Sequence, residues 1–416
     1  MIEANPIFAV GLMVLFGLIG GLLIKKVKLP MVTGYVITGI LISPALWRLL
    51  GLHPIISENL LTGDVSLALI TDIGLGIIGY MIGGGLKLSE LKGMGKVIGF
   101  ILFFQAGGAV LLTTLLLIPS AHFLVPGLPG INYDMAFALL IGTMSCATAP
   151  AATIAIVHEY RAKGPLTTTL LAVVAIDDAF ALIAYAIGSS ISASLTGITS
   201  LSATQMLSSA VIEIFGSLAL GLLFGFILVY IAKATRTRER LLVWVLGFLT
   251  LVVGLSLWLN SLLGISLSYI LSCMAVGFVV TNFGGRERGI TVIQQIEDVV
   301  FVIFFVFAGM NLELESLAIA GLIALIITLS RCSGKYFGVR VGGYLSKAPM
   351  VVRKYLGFAL LPKAGVTIGL ALLASRSFPL MGGLILNAVL ASTIINELIA
   401  PPFTKYALFK ANEANV

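Results

Sequence analysis

Apolar runs of about 20 residues, the length that crosses a hydrocarbon core of about 30 Å as helix, recur from one end of this chain to the other. They lie near 7–24, 31–51, 64–86, 97–118, 132–157, 165–188, 206–232, 241–260, 264–283, 292–312, 317–346, 355–375 and 380–403. In lipid each backbone group has to be satisfied within its own helix, so the expected fold class is an all-α polytopic membrane protein of thirteen transmembrane helices. Composition agrees: of 416 residues 59% are hydrophobic and 10% charged, with a mean hydropathy of +1.12. The N-terminal MIEANPIF lacks a basic signal-peptide region, so the first run is expected to be retained as a helix.

The net charge of +7 does not point to nucleic acid, because the basic residues are spread between spans instead of forming a patch. Loops and ends on the side that follows odd-numbered spans hold 20 of the 25 Lys and Arg residues, and the opposite side holds only Arg48 and Arg376. The positive-inside rule therefore puts the N-terminus outside and the C-terminus in the cytoplasm, for a multi-pass protein of the plasma membrane. The three left over, Arg331, Lys335 and Lys363, fall inside spans. Cys146, Cys273 and Cys332 lack any metal-ligand spacing and read as structural thiols. His53, His122 and His158 sit near span ends, an interfacial placement, and SSISASLTGITSLSATQ (189–205) is the longest hydrophilic connector.

Two spans carry helix breakers. TMSCATAPAAT (143–153) contains Pro150 after a run of small and hydroxyl residues, and LLPKAGVTIGL (360–370) contains Pro362, Lys363 and Gly365. These are the fifth and twelfth spans. An offset of seven, an odd number, inverts one half of the chain relative to the other, giving two inverted six-helix repeats joined by a linker helix at 206–232. Paired discontinuous helices that cross at the midplane are the sequence pointer to a transport site, where freed carbonyls and helix ends face an ion.

Directly after the first break comes VVAIDDAFALI (173–183), with Asp177 and Asp178 at its centre. A carboxylate there costs roughly 2.5–3.5 kcal/mol on insertion scales. Neighbours on a helix diverge by about 100°, so one aspartate can face a cation while the other pairs with a base. The seven-span offset brings Arg331 and Lys335 of the eleventh span into the same cluster, and an Asp177–Lys335 ion pair is the economical arrangement. Oxygen ligands suit a small hard cation, sodium or lithium, held by Asp178 or Asp177 with Thr148, Ser145 and carbonyls near Pro150 as further ligands. Glu397, in IINELIAPP, is expected to pair with Lys363 or Arg331. Glu297 and Asp298 begin the tenth span, and Asp72 and Glu213 have no assigned role. An aspartyl protease dyad has to converge from two helices, and His158-Glu159 lacks the second histidine of a zinc protease motif. No enzyme activity and no cofactor are expected, the transported ions being the substrates.

Several stretches together resemble the monovalent cation/proton antiporter superfamily, specifically bacterial sodium/proton antiporters of the electrogenic Asp-Asp type. They are KLPMVTGYVITGILISP (28–44), ATAPAATIAIVHEYRAKGPLTTTLLAVVAIDDAFALI (147–183), VFVIFFVFAGMNL (300–312), SGKYFG (333–338) and PKAGVTIGLALL (362–373). The resemblance implies a homodimer with a dimerisation domain at 1–90 and 241–312 and a core ion-transport domain at 97–188 and 317–403. It implies that Asp178 is the ion- and proton-binding carboxylate and that Asp177 pairs with Lys335. The implied activity is sodium/proton antiport by alternating access, serving pH homeostasis. A potassium/proton antiporter and a sodium-coupled organic-anion symporter are the alternatives; the adjacent aspartates and Lys335 argue against the symporter.

Overall fold

The computed structural model describes residues 6–26, 31–51, 68–86, 88, 95–125, 127–149, 153, 156–157, 160–198, 203–235, 237–263, 267–284, 288–311, 317–363 and 366–414. Regular structure among them is helical throughout. The helices are α1 (Pro6–Lys26), α2 (Met31–Ile42), α3 (Pro44–Leu49), α4 (Ala68–Gly85), α5 (Gly95–Leu124), α6 (Ile131–Met144), α7 (Pro165–Leu195) and α8 (Ala203–Ala234). The chain continues with α9 (Arg238–Leu263), α10 (Tyr269–Phe283), α11 (Arg288–Ile293), α12 (Glu297–Met310), α13 (Leu317–Leu345), α14 (Met350–Ala359), α15 (Val366–Ser377) and α16 (Pro379–Lys410). Among the described residues seven helices, α1, α5, α7, α8, α9, α13 and α16, are long and apolar enough to cross a membrane. Shorter apolar helices occupy α2, α6, α10, α12 and α15.

Two local expectations are corrected. The second span is two helices, because Ser43 accepts the Leu46 N–H at 3.2 Å and Pro44 opens the next helix, a serine N-cap followed by proline. The serine-rich connector is helical as far as Leu195. Its hydroxyls bond back to carbonyls of the preceding turn, as Ser189 does to Ala186 at 3.1 Å, and Ser192 reaches Ala136 of α6 at 3.3 Å.

The backbone divides into two units, Met1–Lys87 with Val211–Glu315, and Leu88–Ala210 with Ser316–Val416. In the first, α2 packs on α12 and α4 on α10. A seven-span shift turns one of these pairs into the other, as an inverted repeat requires. In the second unit the same shift relates α5 against α6 to α13 against α14, and α6 against α7 to α15 against α16.

The central pair of the second unit is α5 against α13. Gly334, Gly338 and Gly342 recur once per turn on the α13 face that meets α5, the spacing that lets membrane helices approach backbone to backbone. A Cβ on Gly108 of α5 would lie 2.6 Å from the Gly334 carbonyl oxygen. This closeness brings side chains of α5 within reach of Lys335.

Both expected breaks are present. α6 stops at Met144 and residues 145–149 leave the helix; α14 stops at Ala359 and residues 360–363 are non-helical before α15 begins at Val366. Pro150 and Gly365 lie outside the described residues.

Candidate ion site

The unwound segments meet. The Ala149 N–H donates to the Pro362 carbonyl at 3.0 Å, tying one break to the other. Arg331 of α13, fully buried, completes the crossing. Its Nε donates to Ser145 O at 2.8 Å, Nη1 to Leu361 O at 2.6 Å and Asn396 Oδ1 at 3.3 Å, and Nη2 to Ala147 O at 2.7 Å and Pro362 O at 3.2 Å. A guanidinium has five N–H groups, and every one is used. Four acceptors are carbonyls that helical hydrogen bonding would otherwise have engaged. Away from water such groups are costly to leave bare. Of the carbonyls freed near Pro150, those of Ser145 and Ala147 each accept from Arg331.

One turn further along α13, Lys335 is also fully buried. Its Nζ lies 2.9 Å from Asp177 Oδ2, 2.9 Å from Gln105 Oε1 and 2.6 Å from Thr148 Oγ1. Gln105 Nε2 donates to Asp177 Oδ1 at 2.6 Å, and the Thr148 hydroxyl donates to Asp177 Oδ2. Asp177, Lys335, Gln105 and Thr148 thus form a closed network in which the ammonium spends all three protons and the charges of acid and base cancel. Gln105 was not among the residues singled out in the sequence. Its signal was there, a lone side-chain amide in the run GFILFFQAGGAV of α5.

Asp178 stands outside that network. It is 4% exposed, and among the described residues no group hydrogen-bonds its carboxylate. The 100° turn between adjacent helical residues separates a carboxylate committed to protein partners from one that is not.

The remaining candidates are placed as follows. The Ser145 hydroxyl donates to Ile141 O at 2.7 Å, within its own helix turn. Lys363, fully buried in the second break, donates to Ser392 Oγ of α16 at 2.8 Å. The expected pairing of Glu397 with Lys363 or Arg331 is not formed: Glu397 is 4% exposed, and among the described residues neither carboxylate oxygen has a hydrogen-bond partner. Arg331 spends its N–H groups on carbonyls and Asn396, Lys363 donates to Ser392, and among the described residues neither cation bonds Glu397. Asp72 accepts from the Tyr269 hydroxyl at 3.0 Å. His122, at the end of α5, lies 3.0 Å from the buried Asp134 of α6, an interhelical contact that the sequence reading did not foresee. His53 and His158 lie outside the described residues.

Comparison with known proteins adds to this geometry. Residues 11–410 match the family described as sodium/hydrogen exchanger, transmembrane. The chain is 24% identical over 421 residues to the Na(+)/H(+)-K(+) antiporter GerN of Bacillus cereus, covering 99% of this chain and 98% of that protein. Its fold is similar to that of the sodium proton antiporter MjNhaP1 from Methanocaldococcus jannaschii, with a TM-score of 0.77 at 19% identity over 98% of both chains. An electron-microscopy structure of the same antiporter gives a TM-score of 0.69 at 19% identity over 97% of both. The chain therefore belongs to the sodium/hydrogen exchanger family of membrane antiporters, within the monovalent cation/proton antiporter superfamily.

Proposed function

We propose that this protein exchanges sodium or lithium for protons across the plasma membrane by alternating access, and that Asp178 is the seat shared by cation and proton. The observation that carries this reading is the buried Asp178 carboxylate, without a hydrogen-bond partner among the described residues, one residue from an acid whose charge Lys335 already balances. A cation or a proton neutralises Asp178 equally well. With neither, an uncompensated charge has to be moved through an apolar interior, which is costly. The loaded carrier crosses and the empty one does not, which makes the process exchange rather than leak.

Electrogenic exchange follows if the Asp177–Lys335 pair contributes a further proton per turnover, the role that the two adjacent acids support. Thr148 and Ser145 are the side chains near enough in sequence to complete a cation site once Thr148 is released from Lys335. The protein is proposed to work as a homodimer, N-terminus outside and C-terminus in the cytoplasm, with Leu88–Ala210 and Ser316–Val416 as the ion-transport core. Potassium is the second reading, favoured by the potassium in the name of the Bacillus cereus relative. The test is exchange by purified protein in liposomes. Sodium, lithium and potassium are added in turn against a proton gradient, with the membrane potential clamped and unclamped. A gradient collapsed by potassium alone rejects the sodium assignment, and a rate indifferent to the clamp rejects electrogenicity.

A further inference from the structure

The N-terminus of α7, the helix that carries Asp177 and Asp178, is capped by a residue almost 250 positions away. Its own N-cap residue is Gly164, which has no side chain to offer the first free N–H groups. Glu413 supplies the cap instead. Its Oε1 accepts the Leu166 N–H at 2.7 Å, and Oε2 accepts the Thr167 N–H at 2.7 Å and the Thr167 hydroxyl at 2.8 Å. A carboxylate at a helix N-terminus also opposes the helix dipole. The Lys163 N–H returns the contact by donating to the Glu413 carbonyl at 2.9 Å.

The surroundings are built to hold that contact. Glu413 is 7% exposed although it lies near the end of the chain. Gly164 has φ of +157°, and a Cβ there would run into the Glu413 carboxyl group. Asn412, at φ of +57°, turns the chain after α16 so that Glu413 points at α7. Tyr160, just before the cap, packs its ring against Phe409 at 5.3 Å, with Lys405 Nζ 4.8 Å above the Tyr160 ring. The end of α16 and the residues after it therefore clasp segment 160–167, which leads into the aspartate helix.

We propose that Glu413 is a positioning residue for transport: through the cap it sets the axial position of α7, and with it the height of Asp178 relative to the two breaks. The proposal rests on the reading of Asp178 as the ion carboxylate. A looser α7 holds Asp178 less accurately against its other ligands, so cation affinity falls while the proton, which needs no geometry beyond one oxygen, is little affected.

The experiment uses the full chain in liposomes. Glu413→Ala is expected to raise the half-saturating sodium concentration about fivefold while the maximal rate stays within about twofold. The pH profile shifts to the alkaline side, since protons then outcompete sodium up to a higher pH. Hydrogen exchange at the Leu166 and Thr167 amides should accelerate. Glu413→Gln, which keeps an acceptor and loses the charge, falls between. Accelerated amide exchange with native half-saturation and a native pH profile overturns the proposal, because the cap is then lost without consequence for the site. If Glu413→Ala does not fold, Glu413→Gln and Thr167→Val give the same comparison, and native half-saturation in both overturns it. Asp178→Asn in parallel separates the two claims. Exchange retained in that variant rejects the ion-site reading, whereas exchange lost there with Glu413→Ala behaving as native rejects the clasp alone.

Discussion

Lys335 Nζ sits 2.9 Å from Asp177 Oδ2 and gives its two other protons to Gln105 and Thr148, so the acid and base form a neutral, fully bonded unit. Removing one member is worse than removing both. Lys335→Ala leaves the Asp177 charge buried with only neutral donors, and its melting temperature in detergent is expected to fall by the equivalent of about 3–5 kcal/mol. The double variant Asp177→Leu with Lys335→Met should recover most of that loss. A double variant as unstable as the single one would mean that the pair is not an isolated charge balance.

Arg331 gives a sharper stability test, because charge can be kept while geometry is lost. Arg331→Lys presents three donors to five acceptors, four carbonyls and Asn396 Oδ1, so at least two of these contacts are lost, at about 1–3 kcal/mol for each acceptor left bare. Thermal unfolding is expected to show this full loss although the net charge is unchanged. A lysine variant of native stability would show that charge alone holds the breaks together.

Glu397 predicts the opposite sign. Both of its oxygens are buried without a partner among the described residues, a cost that an apolar side chain of similar length does not carry. Glu397→Met is expected to leave the melting temperature unchanged or to raise it by the equivalent of about 1–3 kcal/mol. A clear drop would reveal a partner that Glu397 acquires in another conformation.

The helical class and the two breaks were legible because periodic apolar length and proline chemistry are local signals. The Asp177–Lys335 pair was legible because an intramembrane charge needs a counter-charge and few are on offer. What local signals cannot carry is a contest among partners. Arg331, Lys363 and Glu397 read as an ion-pairing set, yet Arg331 went to the carbonyls of two distant breaks, and this depends on where α13 passes relative to both. Gln105 was missed for a related reason: a single amide marks a polar contact but not its partner, and the α5–α13 approach that brings it to Lys335 depends on glycines facing each other across helices. The Glu413 cap joins residues separated by more than half of the chain, so no local window of sequence contains it.

Competition at one carboxylate fixes the direction of the pH response. The protonated form of Asp178 holds no sodium, so raising the pH frees the site and lowers the half-saturating sodium concentration, by up to about tenfold per pH unit while protons dominate. Rates of exchange at a series of sodium concentrations, repeated at each pH, are expected to converge on one maximal rate. A maximal rate that changes with pH while half-saturation stays constant would place the proton at a site separate from the cation.

The central claim is tested most directly by Asp178→Asn, reconstituted in liposomes and assayed for sodium-driven collapse of a proton gradient. Asparagine keeps the size and loses both the charge and the exchangeable proton, so the variant is predicted to fold like the native protein and to show no exchange above protein-free liposomes. Exchange at the native rate from that variant would contradict the assignment of Asp178 as the shared seat of cation and proton.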